Sequence, residues 1–165
     1  MMRACSTLAA ACLTLIVTAC QPTPAAVSKV SQIQLAGTAS VIDGDTIEIH
    51  GERIRLSGFD APERGARCGS VNVYQKASLA LQDFIGERTV RCDIDSKDRY
   101  DRSVGECQAS GQSLADYMVR EGWARDWPRY SQGAYADEER HARKARRGIW
   151  GLECPDDLWG DRNYD

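Results

Sequence analysis

Apolar and polar side chains alternate along residues 38–56, and this pattern constrains the fold more than any other feature. The apolar face consists of Ile47, Ile49, Ile54 and Leu56. Successive side chains of a β-strand point to opposite faces, so a period of two predicts half-buried strands. We therefore predict a strand over residues 38–42, a bend at the following Asp-Gly-Asp step, and a hairpin that turns at residues 50–52.

The spacing changes to a helical one further along the chain. A first helix is predicted from Ala77 to Gly86, with an apolar face made of Ala77, Ala80, Leu81 and Phe84. Strands over 89–94 and 103–108 form a second hairpin around a polar loop, residues 95–101. A second helix begins at Ser113, which caps it together with Asp116, and a third covers residues 134–147. This order predicts an α+β fold and is compatible with an OB barrel, although spacing alone leaves other small α+β folds open.

The N-terminus has the features of an export signal. Arg3 precedes an apolar stretch, residues 8–17, that is short for a membrane span. The stretch ends in Val17-Thr18-Ala19-Cys20, which resembles the lipobox of bacterial lipoproteins. We therefore predict a signal peptide over 1–19, a lipidated Cys20, a flexible tether through residue 35, a domain over 36–151 and an irregular tail over 152–165. The expected location is the cell envelope, anchored to a membrane (outer membrane or periplasm), and secretion after an ordinary signal peptide is the alternative.

The cysteines favour disulfides over a metal site. Two of the seven lie in the predicted leader and one is Cys20, so four remain, and an even number in an exported chain indicates disulfides. A zinc site is not expected, because the sequence has only two histidines and lacks a C-x-x-C pair. Cys92 and Cys107 lie on the two arms of the predicted second hairpin, where they can pair. By elimination Cys68 would pair with Cys154, but nothing local brings them together, and two free thiols are the alternative.

Three short segments carry side chains that suit phosphodiester chemistry. They are Asp43-Gly44-Asp45-Thr46, Arg55-Leu56-Ser57-Gly58-Phe59-Asp60-Ala61-Pro62-Glu63 and Asp98-Arg99-Tyr100-Asp101-Arg102. Together they supply carboxylates for a hard metal ion, a further carboxylate for a base, and arginines for a phosphate. The net charge is −3, so phosphate binding depends on local arginines or a bound cation and not on a basic surface.

The order and spacing of these segments resemble the staphylococcal nuclease (thermonuclease-like) family. The resemblance covers residues 36–151 and implies a five-stranded OB-fold barrel with three helices, and Ca²⁺ as the cofactor. It implies that Asp45, Asp60 and the backbone carbonyl of Ala61 hold the calcium ion. It also implies that Glu63 is the general base for the attacking water. Asp43 is either a carboxylate behind the metal or a turn cap.

The resemblance also selects the arginines. Arg53 and Arg55 share a strand face, and the family motif favours Arg55 because it stands five residues before Asp60. Arg55 and Arg102 are then the residues that stabilise the transition state, because a guanidinium matches two phosphate oxygens. The family pattern has glycine where this chain has Asp101, which adds a negative charge beside Arg102.

Aromatic and basic residues are predicted to contact the substrate. Arg99 and Tyr100 are expected to bind it, and the tyrosine ring suits stacking on an unpaired base. A further group follows the second helix and forms either a nucleotide-stacking wall or core packing with surface arginines: Trp123, Arg125, Trp127 and Tyr130.

These features predict a Ca²⁺-dependent nuclease that hydrolyses phosphodiester bonds of DNA and RNA and prefers single strands. No obligate protein partner is implied. One alternative is a catalytically weak or inactive nucleic-acid-binding module of the cell envelope, and another is an envelope protein that keeps the domain for a structural role. All five central residues are present, which argues against an inactive copy: Asp45, Arg55, Asp60, Glu63 and Arg102.

Overall fold

A computed structural model describes residues 33–160 of the chain. The predicted signal peptide, Cys20 and most of the tether lie outside the described residues. The strands are β1 (Ile33–Gly37), β2 (Ala39–Asp43), β3 (Thr46–Ile49), β4 (Glu52–Leu56), β5 (Phe59–Asp60), β6 (Arg67–Cys68), β7 (Val71–Asn72), β8 (Val90–Lys97), β9 (Ser103–Ala109), β10 (Gln112–Ser113) and β11 (Arg125–Asp126). The helices are α1 (Val73–Ile85), α2 (Leu114–Arg120), α3 (Pro128–Ser131) and α4 (Ala136–Lys144), and a 3₁₀ turn follows at Gly148–Gly151.

The main sheet curls on itself. Its strand order is β1-β8-β9-β4-β3-β2, with β10 attached to β9, and every pair is antiparallel except the parallel pair β4–β9. The outermost strands in this order, β1 and β2, are joined by the single residue Thr38. A link of one residue brings the two edges of the sheet close together, so the sheet curls. The predicted α+β class with an OB-like sheet is confirmed.

The alternating pattern of residues 38–56 marks the core as predicted. Ile47, Ile49, Ile54 and Leu56 are all buried in one cluster with Leu81 of α1. Full burial of an aliphatic side chain contributes about 1.5–3 kcal/mol, so this face anchors the sheet to α1. Strands β3 and β4 are therefore held firmly, and they carry the site residues on their ends and their other face.

The boundaries differ from the predicted ones in several places, and α1 begins at Val73, four residues before the predicted start at Ala77. Strand β1 begins at Ile33, inside the stretch assigned to the tether, where exposed side chains hide the strand pattern. Strand β8 continues to Lys97 because a register shift between Ile94 and Ser96 absorbs an extra residue, so the hairpin loop contains residues 98–102 only. The predicted third helix is shorter, and the one-turn helix α3, with proline at its first turn, was not predicted.

The predicted helix end at Gly86, the predicted cap at Ser113 and both predicted disulfides are present. Asn72 caps α1, Gly86 ends it, and the Ser113 hydroxyl accepts a hydrogen bond from the Asp116 N–H. The Cys92–Cys107 disulfide joins directly opposed residues of β8 and β9, as predicted. Cys68 and Cys154 are also joined, 86 residues apart in sequence, so the alternative of two free thiols is wrong for this structure. Among residues 33–160, no helix is long and apolar enough to cross a membrane.

Candidate active site

A cleft of about 1000 Å³ opens between strand β4, the β8–β9 hairpin loop and helix α3. It contains carboxylates, guanidinium groups and aromatic rings. Six of the residues predicted from the sequence line it: Asp45, Arg55, Glu63, Arg99, Tyr100 and Arg102. Segments that are up to 57 positions apart in sequence are thus brought to one surface.

Arg55 lies at the centre of the charged groups. Its guanidinium donates to the Phe59 carbonyl at 3.2 Å, lies 3.4 Å from Asp60 Oδ1 and contacts Asp45 Oδ2. The β3–β4 pairing sets Arg55 directly opposite Thr46, next to Asp45. Arg53, the other candidate on this strand face, is 63% exposed and pairs with Glu48. The structure therefore places Arg55 in the cleft and Arg53 outside it.

The two aspartates predicted to bind metal lie on either side of this guanidinium. Asp45 is 8% exposed and Asp60 is fully buried beneath the cleft, where it does not form part of the wall. The Ala61 N–H donates to Asp45 Oδ2 at 3.4 Å, and the Thr46 hydroxyl donates to Asp45 Oδ1 at 3.0 Å. The segment around Asp45 and the segment around Asp60 are therefore in direct contact.

Gly44 is required for this contact. A Cβ atom on Gly44 would lie 2.7 Å from the Ala61 Cβ and 3.0 Å from the Ala77 Cβ. These distances are too short for ordinary packing, so a larger residue would push the turn away from α1 and from Ala61. The glycine of the first motif thus has a packing role in setting Asp45 beside Ala61.

The site suits a hard cation by its donor chemistry. Carboxylates and backbone carbonyls are the ligands that Ca²⁺ prefers. Burial, together with the neighbouring Asp45 carboxylate, raises the pKa of Asp43 above its ordinary value. Within residues 33–160 no group of three or more acidic, histidine or cysteine side chains is arranged to hold a metal. A metal at Asp45 and Asp60 would therefore take its remaining ligands from backbone oxygen and water.

Glu63 stands at the edge of the cleft on an exposed loop. It follows buried Pro62, and its backbone carbonyl accepts a hydrogen bond from the Ala66 N–H at 2.9 Å. This contact closes a tight turn immediately after Glu63. The carboxylate is accessible to water and lines the same cleft as Arg55.

Arg102 is oriented by Asp98, a residue to which the sequence analysis gave no role. Asp98 Oδ2 accepts from Arg102 Nε at 2.7 Å, while Oδ1 accepts from the backbone N–H groups of Tyr100 (2.8 Å) and Arg102 (3.0 Å). Burial alone would raise the pKa of Asp98, but these hydrogen bonds outweigh it and lower the pKa below the ordinary value. An aspartate that opens a tight loop is the signal that could have revealed this role.

Asp101 does not oppose Arg102 as its sequence position suggested. Its φ is +63°, the left-handed conformation that the glycine of the family pattern adopts easily. Its side chain is 87% exposed and forms an ion pair with Lys97, whereas Arg102 pairs with Asp98. The added negative charge is therefore turned to solvent and partly balanced by Lys97.

Aromatic rings stand on two sides of the cleft. Tyr100 is 65% exposed, and the guanidinium carbons of Arg99 and Arg102 lie 4.9 and 5.6 Å from its ring centre. On the other side Trp127 and Tyr130 meet edge to face, 4.8 Å between ring centres.

The aromatic group that follows α2 divides between the two roles left open by the sequence. Trp127 and Tyr130 line the cleft. Trp123 packs against the buried core, and Arg125 lies over the ring of Trp159.

Asp126 fixes the segment that carries Trp127 and Tyr130. It is buried, it pairs with Phe59 across β11–β5, and its N–H donates to Glu139 Oε2 at 2.7 Å. Burial and the nearby Glu139 carboxylate raise the pKa of Asp126, although hydrogen bonds from Ser131 and neighbouring backbone groups oppose the shift. The strand that leads into α3 is thereby fixed against the strand that carries Asp60.

Comparison with known proteins gives a consistent result. The sequence model of the family "Staphylococcal nuclease homologue" matches residues 53–151, which include all the site residues except the Asp43–Asp45 turn. The succinoglycan biosynthesis protein ExoI of Rhizobium meliloti (strain 1021) is 40% identical over 128 residues, 70% of this chain and 64% of that protein. The staphylococcal-like nuclease CAN1 of Arabidopsis thaliana is 31% identical over 108 residues, 65% of this chain and 32% of that protein.

A bacterial relative of similar extent is an uncharacterized endonuclease of Haemophilus influenzae (strain Rd). It is 28% identical over 121 residues, which are 70% of this chain and 65% of that protein. The chain thus spans less than two thirds of the length of each of these relatives.

Proposed function

Because the chain belongs to the family of staphylococcal nuclease homologues, we propose that it is a Ca²⁺-dependent nuclease that hydrolyses phosphodiester bonds in DNA and RNA. The observation that carries the proposal is the single cleft shared by Asp45, Arg55, Glu63 and Arg102. Phosphodiester hydrolysis needs a positioned water, a proton acceptor and positive charge around the phosphate. The cleft offers a group for each of these needs.

Each residue has one proposed role. Asp45, Asp60 and the Ala61 carbonyl would hold Ca²⁺, which supplies positive charge to a phosphoryl oxygen when bound. The Glu63 carboxylate accepts a proton from the attacking water. Arg55 and Arg102 donate hydrogen bonds to the phosphoryl oxygens, on which negative charge builds up in the transition state.

The proposed substrate is single-stranded nucleic acid in preference to duplex. Tyr100 and Tyr130 expose 65% and 60% of their surface beside the cleft. Stacking of an unpaired base on an aromatic ring contributes about 1–3 kcal/mol and does not depend on which base is present. Inside a duplex both faces of each base are covered by neighbouring base pairs, so this contribution favours single strands.

A second candidate function is nucleic-acid binding without turnover. It is favoured by the contacts of Arg55 with Asp45 and Asp60, because the guanidinium must give up part of them to reach a phosphate. Gel electrophoresis separates the two functions. A binding module slows the migration of a labelled oligonucleotide but leaves its length unchanged, whereas a nuclease shortens it.

Kinetics of three variants test the proposed roles. E63Q keeps the size of the side chain, whereas R55K and R102K keep the positive charge and lose the planar fork of donors. Removal of one preorganised group costs on the order of 100- to 1,000-fold in turnover. We expect kcat to fall far more than KM rises, because these groups act in the transition state. The exposed Arg53 supplies the control, since R53K is expected to retain turnover. Near-normal kcat in E63Q would remove Glu63 from its proposed role.

We also propose that the protein is exported and anchored through a lipid on Cys20. The supporting observation is the Val17-Thr18-Ala19-Cys20 sequence after an apolar stretch. Mass spectrometry of the mature N-terminal peptide tests it, and a mature protein that begins at an acylated Cys20 is expected. An unmodified thiol at Cys20 would contradict the anchor and leave secretion as the remaining proposal.

A further inference from the structure

The disulfide Cys68–Cys154 ties the C-terminal segment to the loop that carries Glu63. We call residues 63–70 the base loop and residues 152–160 the tail. Cys68 stands five positions after Glu63, and Cys154 lies in the tail, 86 positions away in sequence. Cys68 is buried and Cys154 is partly buried.

The base loop lies outside the main sheet, and its Arg64 guanidinium lies 5.9 Å from the ring centre of Tyr74 in α1. Its strand β6 pairs with β7 alone, as a separate two-stranded ribbon in the described part of the chain. Its internal contacts include the Ala66–Glu63 turn and a hydrogen bond from Arg67 to the Ser70 carbonyl. A two-stranded ribbon of this size is marginal by itself. The position of Glu63 over the cleft therefore depends on what β6 packs against as well as on buried Ala61 and Pro62, which precede it.

Strand β6 packs against the tail. Cys68 and Val73 form a second apolar cluster with Ile149, Leu158 and Trp159. This cluster is distinct from the core under the main sheet, which has its own disulfide, Cys92–Cys107. We therefore expect loss of the tail contact to loosen the base loop more than the main core, with Trp123 the residue that packs against both clusters.

The tail is itself held by cation–π and ring–ring contacts. The Arg143 guanidinium lies 3.7 Å from the ring centre of Trp150, and the Trp150 and Trp159 ring centres are 6.0 Å apart. Arg125 lies 5.7 Å from the Trp159 ring and is opposite Asp60 in the β11–β5 pair. The tail thus contacts both the base loop and the strand next to Asp60.

We propose that the Cys68–Cys154 disulfide is a positioning element, which docks the base loop on the tail and so fixes Glu63 over the cleft. This inference rests on the proposed nuclease function. Displacement of a general base by about 1 Å can lower the rate on the order of 100-fold. We therefore expect the disulfide to affect turnover more than substrate binding. The tail thereby takes part in the function of the site although it contributes no residue to the cleft.

The first test is a double-mutant cycle on the full chain, produced so that both disulfides form. C68A/C154A is expected to lower kcat on single-stranded DNA by about 10- to 100-fold with KM within about threefold. In the E63Q background the same change should cost less than about twofold, because its effect passes through Glu63. The matched control is C92A/C107A. Its fold-reduction in kcat should be the same in the wild-type and E63Q backgrounds. Equal losses in both backgrounds for C68A/C154A would overturn the proposal.

The second test does not require activity. Hydrogen exchange of the Ala66 amide, which donates to the Glu63 carbonyl, should be at least about tenfold faster in C68A/C154A and unchanged in C92A/C107A. If C68A/C154A does not fold, W159L replaces it, because this variant keeps both cysteines and weakens the packing of the tail. The kcat cycle with E63Q and the Ala66 exchange rate are then measured on W159L.

Different results contradict the proposed nuclease function and the positioning role of the disulfide. A wild type that does not cleave contradicts the proposed function. An active wild type with unchanged Ala66 exchange in the folded variant contradicts the positioning role alone.

Discussion

We expect Asp98 to hold the Arg102 guanidinium in its orientation in the cleft and so to affect kcat. The D98A variant tests this. Asp98 makes two hydrogen bonds to Arg102, at 2.7 and 3.0 Å, with 19% of its side chain exposed. A hydrogen bond to a charged group contributes about 1.5–3 kcal/mol, and partial exposure favours the lower value, so the two together contribute about 3 kcal/mol to the ordered loop. Because 1.4 kcal/mol corresponds to a factor of ten, kcat should fall by about 10- to 100-fold.

The assay is the initial rate of cleavage of a labelled single-stranded oligonucleotide at saturating Ca²⁺. D98A/R102A should be no slower than R102A, because Asp98 acts through Arg102. D101N is the matched control from the same loop, since Asp101 is exposed and paired with Lys97, and it should stay within about threefold of the wild type. A D98A enzyme within twofold of wild-type kcat, or losses that multiply in D98A/R102A, would refute this reasoning.

The remaining predictions concern charge, metal and disulfide. Since the pKa of Asp98 is lowered from 3.8, the folded form binds fewer protons. Its stabilisation is therefore present above pH 3.8 and lost as the pH falls through the folded pKa, so urea unfolding should show the wild type losing its advantage over D98N in that range. D45N should weaken Ca²⁺ binding measured by calorimetry, and unchanged affinity would remove Asp45 from the metal site. R55A should destabilise the protein in EDTA by about 3–5 kcal/mol, with partial recovery in Ca²⁺, because it breaks a largely buried ion pair. C92A/C107A should lower the free energy of unfolding by about 3 kcal/mol in denaturant titrations, and no change would contradict the loop-closure estimate.

Local patterns predicted the parts of the fold that depend on neighbouring residues. The alternation at Ile47–Ile49 and the Ser113 cap appear in the structure as expected, because burial and capping are decided within a few positions. The Cys92–Cys107 pair was predictable for the same reason, since a hairpin brings its arms together.

Features that depend on distant contacts had no local signal, and the Cys68–Cys154 pair was predicted only by elimination. The pairing of Cys68 with Cys154 follows from a second apolar cluster that joins segments far apart in sequence. The β1 strand has exposed Ile33 and no clear alternation, so its pairing with β8 is set by the sheet.

The sequence motifs located the candidate site, whereas the partners of its charged groups required the structure. The motifs name Arg55 and Arg102, but nothing local shows that Arg55 contacts two aspartates, and the position of Asp98 at the start of the loop only hints that it holds Arg102. The direction of the Asp101 side chain was also open, because it depends on the ion pair with Lys97. Ion pairs of this kind are decided by which side chains the folded loops bring within reach.

Cleavage of single-stranded DNA with and without Ca²⁺ tests the central claim most directly. The purified protein should shorten a labelled oligonucleotide in Ca²⁺, stop when EDTA is added, and resume when excess Ca²⁺ is restored. E63Q is the matched control for a contaminating nuclease, and it should be slower by on the order of 100-fold or more under the same conditions. Cleavage that continues unchanged in EDTA, or equal rates for E63Q and the wild type, would contradict a calcium-dependent nuclease that uses Glu63 as its base.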